Sequence, residues 1–233
     1  PEARNKGMKL AQGKYIAFLD SDDLFLAARL ERGVDVLERM PPIALVHGEV
    51  EVIDHEGKLM PSETAYNRML YRKERTEGSG YLRILKGNAM FPSAILFRRE
   101  CVDRIGWFNP TFRPREDYDW YLRLALKERV HLLEGPPIAR YRLHGKNQSL
   151  GYDAPATARV YIAILSQQLS LLSEKLSGEP HRHARSSVLA KMAEYYWTSR
   201  SKREVRRSLL EAIRLNPAVA LDLSSIKRLL FSL

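Results

Sequence analysis

The sequence predicts an α/β domain over residues 1–150 followed by an all-α region over residues 151–233, and three observations carry that prediction. The first part alternates short apolar runs with turn residues and amphipathic stretches, the texture of strands interleaved with helices. One run, Tyr15-Ile16-Ala17-Phe18-Leu19, is continuously apolar and stops at an acidic cluster, as expected of a strand buried on both faces of a parallel sheet. Beyond Tyr152 the periodicity is helical throughout.

The elements follow in order. Ala3 to Gln12 reads as a helix that Gly13 is placed to end. After the Tyr15–Leu19 strand, Leu26 to Arg39 forms a helix with Leu30, Val34 and Leu37 on one side and Pro41-Pro42 as its stop. Ile43 to Val46 and Val50 to Ile53 read as strands, whereas Asp54 to Gly80 is polar and irregular and predicts a surface excursion. Tyr81 to Leu85 is a short helix, Ala94 to Phe97 a strand and Glu116 to Glu128 a helix; Ile138 to Leu143, after Gly135-Pro136-Pro137, is a final strand. In the tail, helices are expected at Ala154 to Leu176, Ala184 to Arg200, Arg203 to Leu215 and Leu223 to Phe231. The segment Leu209 to Pro217 resembles the second helix of a tetratricopeptide repeat, in a single copy.

Composition narrows the classes. With 233 residues, 28% charged and 9% aromatic, the chain has the length and balance of a globular protein with a buried core, not of a disordered one. A single cysteine, Cys101, excludes an internal disulfide or a cysteine-rich zinc site and fits a reducing compartment. The longest uncharged stretch, Val160 to Ser173, has 14 residues. A transmembrane helix needs roughly 20. The net charge of +10 is weighted toward residues 151–233, which suits an anionic membrane surface, nucleic acid or a solvated arginine-rich helical face. No glycine-rich dinucleotide or Walker phosphate loop is present.

The strongest chemical signal is Leu19-Asp20-Ser21-Asp22-Asp23, three carboxylates just past the end of the apolar strand. Ligands of open α/β sheets bind at that end. Clustered carboxylates repel one another unless a cation neutralises them, and oxygen ligands favour Mg²⁺, Mn²⁺ or Ca²⁺. A turn with a helix N-cap accounts for one aspartate, or two, but not readily for three. A second signal is Arg115-Glu116-Asp117-Tyr118-Asp119-Trp120, acidic residues at a helix start, which also fits the helix dipole. A third is Tyr141-Arg142-Leu143-His144-Gly145-Lys146.

Together these residues resemble a family 2 inverting glycosyltransferase with the GT-A fold. Ala3-Arg4-Asn5-Lys6-Gly7, then Ala11-Gln12-Gly13-Lys14 leading into the strand and its Asp-x-Asp motif, looks like the middle of that family's domain; Ile105-Gly106-Trp107-Phe108 looks like the turn before its Glu-Asp helix. The resemblance covers roughly residues 1–150 and implies a Rossmann-like sheet that lacks its N-terminal strands here, the chain opening on Pro1 as a fragment would. It implies that Asp20, Asp22 and Asp23 hold a divalent cation, Mn²⁺ or Mg²⁺, with the donor's diphosphate and ribose. Arg4 and Asn5 would lie against the nucleotide. Asp117 would deprotonate the acceptor hydroxyl, with Glu116 orienting the site. His144 would join Asp22 and Asp23 as a metal ligand, and Arg142 and Lys146 would bind the diphosphate. Trp107 and Trp120 are candidates for sugar stacking or for core packing.

The implied partners are a nucleotide-diphosphate sugar donor and a glycan or lipid-linked acceptor, in bacterial surface polysaccharide or lipopolysaccharide synthesis. The implied place is the cytoplasm, with peripheral membrane contact through the basic tail and no nucleic-acid partner. Two departures from the family stand out: Ala27-Ala28 occupies the position where many relatives carry proline, and the Gln-x-x-Arg-Trp motif of processive synthases is absent. Two other classes compete. A haloacid-dehalogenase-type phosphatase would use Asp20 and Asp22 but leaves Glu116-Asp117 unexplained, and a non-enzymatic helical scaffold would rest on the tail.

Overall fold

The structure is a computed structural model that describes all residues except 77–79, 88–89, 146, 148–153, 176–177, 223–226, 229–230 and 232–233. The chain divides into two compact units, Pro1–Thr111 with Glu116–Leu150, and Phe112–Arg115 with Gly151–Leu233.

In the first unit the elements are α1 (Glu2–Leu10), β1 (Tyr15–Ala17), β2 (Leu24–Phe25), α2 (Arg29–Arg39), β3 (Ile43–Gly48), β4 (Val50–Ile53), α3 (Pro61–Thr76), α4 (Gly80–Lys86), β5 (Ile95–Arg98), α5 (Cys101–Ile105), α6 (Glu116–Lys127), β6 (Arg129–Leu133) and β7 (Ala139–Arg142). They build two small sheets. The larger has strand order β1-β5-β3-β6 and the smaller β2-β7-β4. Every residue of β3 is buried, which is why its run Ile43-Ala44-Leu45-Val46 shows no polar alternation. The core between sheet and helices is formed by Leu37, Val46, Val50, Leu96, Ile138 and Ala139, with Phe91 and Tyr141 packed against it.

The sheets are mixed. β3 and β6 are parallel, as are β4 and β7, but β1 pairs antiparallel with β5, placing Ile16 opposite Phe97. The expectation of a parallel neighbour for the Tyr15 strand is therefore corrected: apolar continuity reports burial and carries no information on direction. The strand is also shorter than its apolar run, since Leu19 is 51% exposed and belongs to the loop.

Three further differences have physical causes. The buried stripe of α2 is Arg29, Gly33 and Leu37, and Leu30 faces solvent. The glycine permits this close approach, because a Cβ at Gly33 would stand 2.8 Å from a Leu96 methyl. The polar segment after β4 is not irregular but forms α3, whose start docks when Thr64 Oγ1 accepts the Val52 N–H at 2.9 Å. β6, unanticipated, completes the larger sheet beside β3.

The second unit contains α7 (Ala154–Lys175), α8 (Glu179–Thr198), α9 (Lys202–Leu215) and a 3-10 turn at Pro217–Leu221. Ala193, Val205 and Leu209 form its small core. Tyr161 stacks on Tyr195 at 4.3 Å, and Ser186 Oγ donates to the Ala212 carbonyl at 2.8 Å. Most of the predicted Leu223–Phe231 helix lies outside the described residues. Among the described residues no helix is long and apolar enough to cross a membrane.

Candidate active site

The three aspartates lie in the loop between β1 and β2, and the fold gives each a different task. Asp20 accepts from Arg4 Nη2 at both carboxylate oxygens, 2.7 and 2.8 Å away, while its own N–H donates to Ser93 Oγ at 3.0 Å. Asp23 is turned inward, 6% exposed, and its Oδ1 accepts the Arg142 N–H at 2.9 Å. Burial pushes the Asp23 carboxyl up, against the opposing effect of hydrogen bonds from Ser93 and the Arg142 main chain; the charges of Asp22 and Asp20 add to the rise. Asp22 remains, half-buried, with Oδ2 3.0 Å from His144 Nε2.

In this structure the Asp23 carboxylate fastens the loop to β7. The Arg142 side chain bonds the same loop. Its Nε donates to the Asp22 carbonyl at 2.9 Å, and its Nη1 to the carbonyls of Asp54 and His55 at 2.9 and 3.1 Å. The guanidinium thus clamps main chain around the acidic loop. Lys146 lies outside the described residues.

Asn5 joins two distant segments. Its amide donates to the Phe108 carbonyl at 2.9 Å and accepts the Phe108 N–H at 3.0 Å, tying α1 to the turn that follows α5. In that turn Gly106 sits at φ +81, a conformation that favours glycine, and its carbonyl accepts the Trp120 indole N–H at 2.8 Å. Trp120 is fully buried against Phe97 and Phe108 and serves the core; Trp107 is 45% exposed.

The pairing of Arg4 with the acidic loop extends to α6. Glu116, 6% exposed at the helix start, has Oε1 3.5 Å from Arg4 Nη1, and its Oε2 has no hydrogen-bond partner. Burial alone would lower the Arg4 guanidinium, but the hydrogen bond and charge of Asp20, with smaller contributions from Tyr121 and Asp117, raise it. Asp117 caps locally, accepting the Tyr118 N–H at 2.8 Å. Arg4 therefore gathers the strand-end aspartates and the Glu-Asp helix start into one site. Beside it a cleft of about 540 Å³ runs along α1 and the free edge of β1, lined by Arg4, Gly7, Tyr15, Phe18, Asp20 and Ser21.

Two supporting residues escaped the sequence reading, Ser93 and Asn147. Asn147, 7% exposed, accepts the His144 N–H and donates to the Arg142 carbonyl at 2.9 Å, fixing the turn that presents the imidazole. The Ser93 contact joins segments 73 residues apart, whereas the Asn147 contacts are local, three and five residues back along the chain.

Among the described residues no group of three or more His, Cys, Asp or Glu side chains is arranged to hold a metal. The donor set nonetheless fits a hard divalent cation completed by substrate oxygens. Asp22 and His144 offer one carboxylate and one imidazole side by side, and Mg²⁺-type sites commonly take one or two protein ligands plus phosphates.

The architecture is that of a GT-A glycosyltransferase. The fold is similar to the crystal structure of S. aureus TarS 1-349 in complex with UDP-GlcNAc, with a TM-score of 0.60 at 16% identity, covering 98% of this chain and 68% of that one. Residues 1–106 match the family described as Glycosyl transferase family 2. Among curated relatives, an uncharacterized glycosyltransferase YwdF of Bacillus subtilis (strain 168) is 30% identical over 170 residues, 72% of this chain and 60% of that protein. The UDP-Glc:alpha-D-GlcNAc-diphosphoundecaprenol beta-1,3-glucosyltransferase WfgD of Escherichia coli is 38% identical over 146 residues, 60% of this chain and 50% of that protein. The chain thus spans between half and two thirds of the length of these two relatives.

Proposed function

We propose that the protein carrying this chain is a metal-dependent inverting glycosyltransferase that moves a sugar from a nucleotide-diphosphate donor to an acceptor hydroxyl. The observation that carries this reading is the convergence on Arg4 of Asp20 from the strand-end loop and Glu116 from the Glu-Asp helix. Residues 1–150 supply the catalytic part, and 151–233 form a helical C-terminal region.

In-line displacement with inversion needs a base on the acceptor side and charge stabilisation on the leaving diphosphate. Asp117 takes the proton of the acceptor hydroxyl. Glu116 and Arg4 hold the helix start against the acidic loop, so that base and donor site keep a fixed separation. Asp22 and His144 hold Mn²⁺ or Mg²⁺, which when bound supplies positive charge against the diphosphate. Asp23 and Arg142 keep that loop in place, with Asn147 setting the imidazole.

The donor sugar class follows the relatives' names only in outline. WfgD is named for a uridine-diphosphate glucose donor and a diphosphoundecaprenol-linked acceptor; for this chain the reading is a nucleotide-sugar donor and a glycan or lipid-linked acceptor in surface polysaccharide synthesis. The exposed cations Arg200, Lys202, Arg203, Arg206 and Arg207, at the α8–α9 junction, would rest on anionic lipid. The test is release of UDP or GDP from their sugar nucleotides by the full-length protein. Turnover that appears with Mn²⁺ and stops with EDTA supports the reading; equal release with and without chelator contradicts it.

A further inference from the structure

A second concavity, a groove of about 340 Å³, lies between α3 and the smaller sheet, lined by Glu63, Tyr66 and Asn67 from the helix and by Phe91, Tyr141 and Leu143 opposite. Phe91 and Tyr141 form a tilted pair with centroids 4.9 Å apart. Tyr66 is 60% exposed, a large ring held at the groove without core packing to account for it. Aromatic faces beside a carboxylate and an amide match the chemistry of a pyranose, which offers an apolar C–H face and a rim of hydroxyls. Among the described lining residues Glu63 is the one formal charge, so the groove repels phosphate and accepts a neutral ring.

Its position ties it to the site. Phe91 precedes Ser93, which holds the Asp20 main chain; Tyr141 precedes Arg142, bound to Asp23; Leu143 precedes His144, bound to Asp22. At roughly 3.3 Å per extended residue, Phe91, Tyr141 and Leu143 each lie within about 7 Å of chain from a group that contacts the acidic loop. We propose that this groove is the acceptor subsite, with Tyr66 and the Phe91–Tyr141 pair stacking the acceptor's terminal sugar ring and Glu63 and Asn67 reading its hydroxyls. The proposal rests on the glycosyl-transfer reading above.

Saturation-transfer NMR on the full-length protein tests it, with methyl α-glucopyranoside and methyl N-acetyl-α-glucosaminide as probes and UDP with Mn²⁺ titrated in parallel. At least one glycoside should bind. Tyr66→Ala should weaken it roughly three- to tenfold, the worth of one ring stack, while Tyr66→Phe retains it. UDP binding should be equal in all three proteins. Binding of UDP without either glycoside, or a glycoside signal indifferent to Tyr66→Ala, overturns the groove assignment. Tyr66-dependent glycoside binding in a protein that takes no nucleotide supports the groove as a sugar site and instead removes the donor reading.

Discussion

The Arg4 guanidinium meets both oxygens of Asp20, at 2.7 and 2.8 Å from a single nitrogen, and reaches Glu116 at 3.5 Å with another. One cation thus neutralises two carboxylates that come from distant parts of the chain, and Glu116 is 6% exposed. Removing it takes a cation from both carboxylates, one of them buried. We expect Arg4→Met to destabilise the first unit by about 1–3 kcal/mol, since a buried acceptor loses its partner. Thermal unfolding at neutral pH measures this, and an unchanged midpoint would show that the triad holds nothing together.

Asp117 and Glu116 are adjacent but differ in role. We expect Asp117→Asn to lower turnover by roughly 10²- to 10⁴-fold while leaving donor affinity unchanged, as befits loss of a general base. Steady-state kinetics with separate titration of UDP distinguishes this from a structural role, in which donor binding would fall as well.

His47 in β3 is 4% exposed, and burial, with help from Arg83 and His131, pushes its imidazole down to about 3. In the unfolded chain it titrates near 6.5, so between these values the unfolded state alone binds the proton. Stability from this residue is complete above pH 6.5 and falls as the pH drops toward 3, by ~1.4 kcal/mol per unit. Denaturation midpoints at pH 7.5 and 5 should therefore converge in His47→Leu relative to the parent. An equal acid dependence in both proteins would argue against a neutral buried imidazole.

The α9 face carries Lys202, Arg203, Arg206 and Arg207, all exposed, beside Arg200 and the 39%-exposed Trp197. Attraction of such a patch to an anionic surface is about 1 kcal/mol per cation and is screened by salt. We expect sedimentation with phosphatidylglycerol vesicles at low salt, weakened by Arg206→Glu combined with Arg207→Glu. Equal association with neutral vesicles would exclude the electrostatic contact.

Much of this site is legible in the sequence, and what is not has a common cause. The acidic loop and the Glu-Asp helix announce themselves because carboxylates seldom crowd a strand end or a helix start without a task. The allocation of tasks within the loop is not legible. It depends on the main chain of Arg142 and the hydroxyl of Ser93, which arrive from far along the chain. Helix α3 escapes the hydrophobic pattern because Thr64 and Tyr71 are the buried positions among its described side chains, too few to mark a stripe. The direction of β1 is hidden for the reason that burial and direction are independent, and Arg29, buried in α2 beneath Phe25, reverses the usual rule for helix faces.

We propose that Asp22 and His144, rather than Asp23, hold the cation that binds the donor diphosphate. Manganese titration followed by electron paramagnetic resonance, on the full-length protein with and without UDP, tests it most directly. We expect UDP to tighten Mn²⁺ binding, and Asp22→Asn or His144→Ala each to weaken the UDP-dependent binding at least roughly tenfold, as loss of one ligand from a sparse site does. Asp23→Asn should instead lower the unfolding temperature and leave Mn²⁺ binding by the folded fraction near that of the parent. Unaltered Mn²⁺ affinity in both Asp22→Asn and His144→Ala, with UDP present, would contradict the assignment.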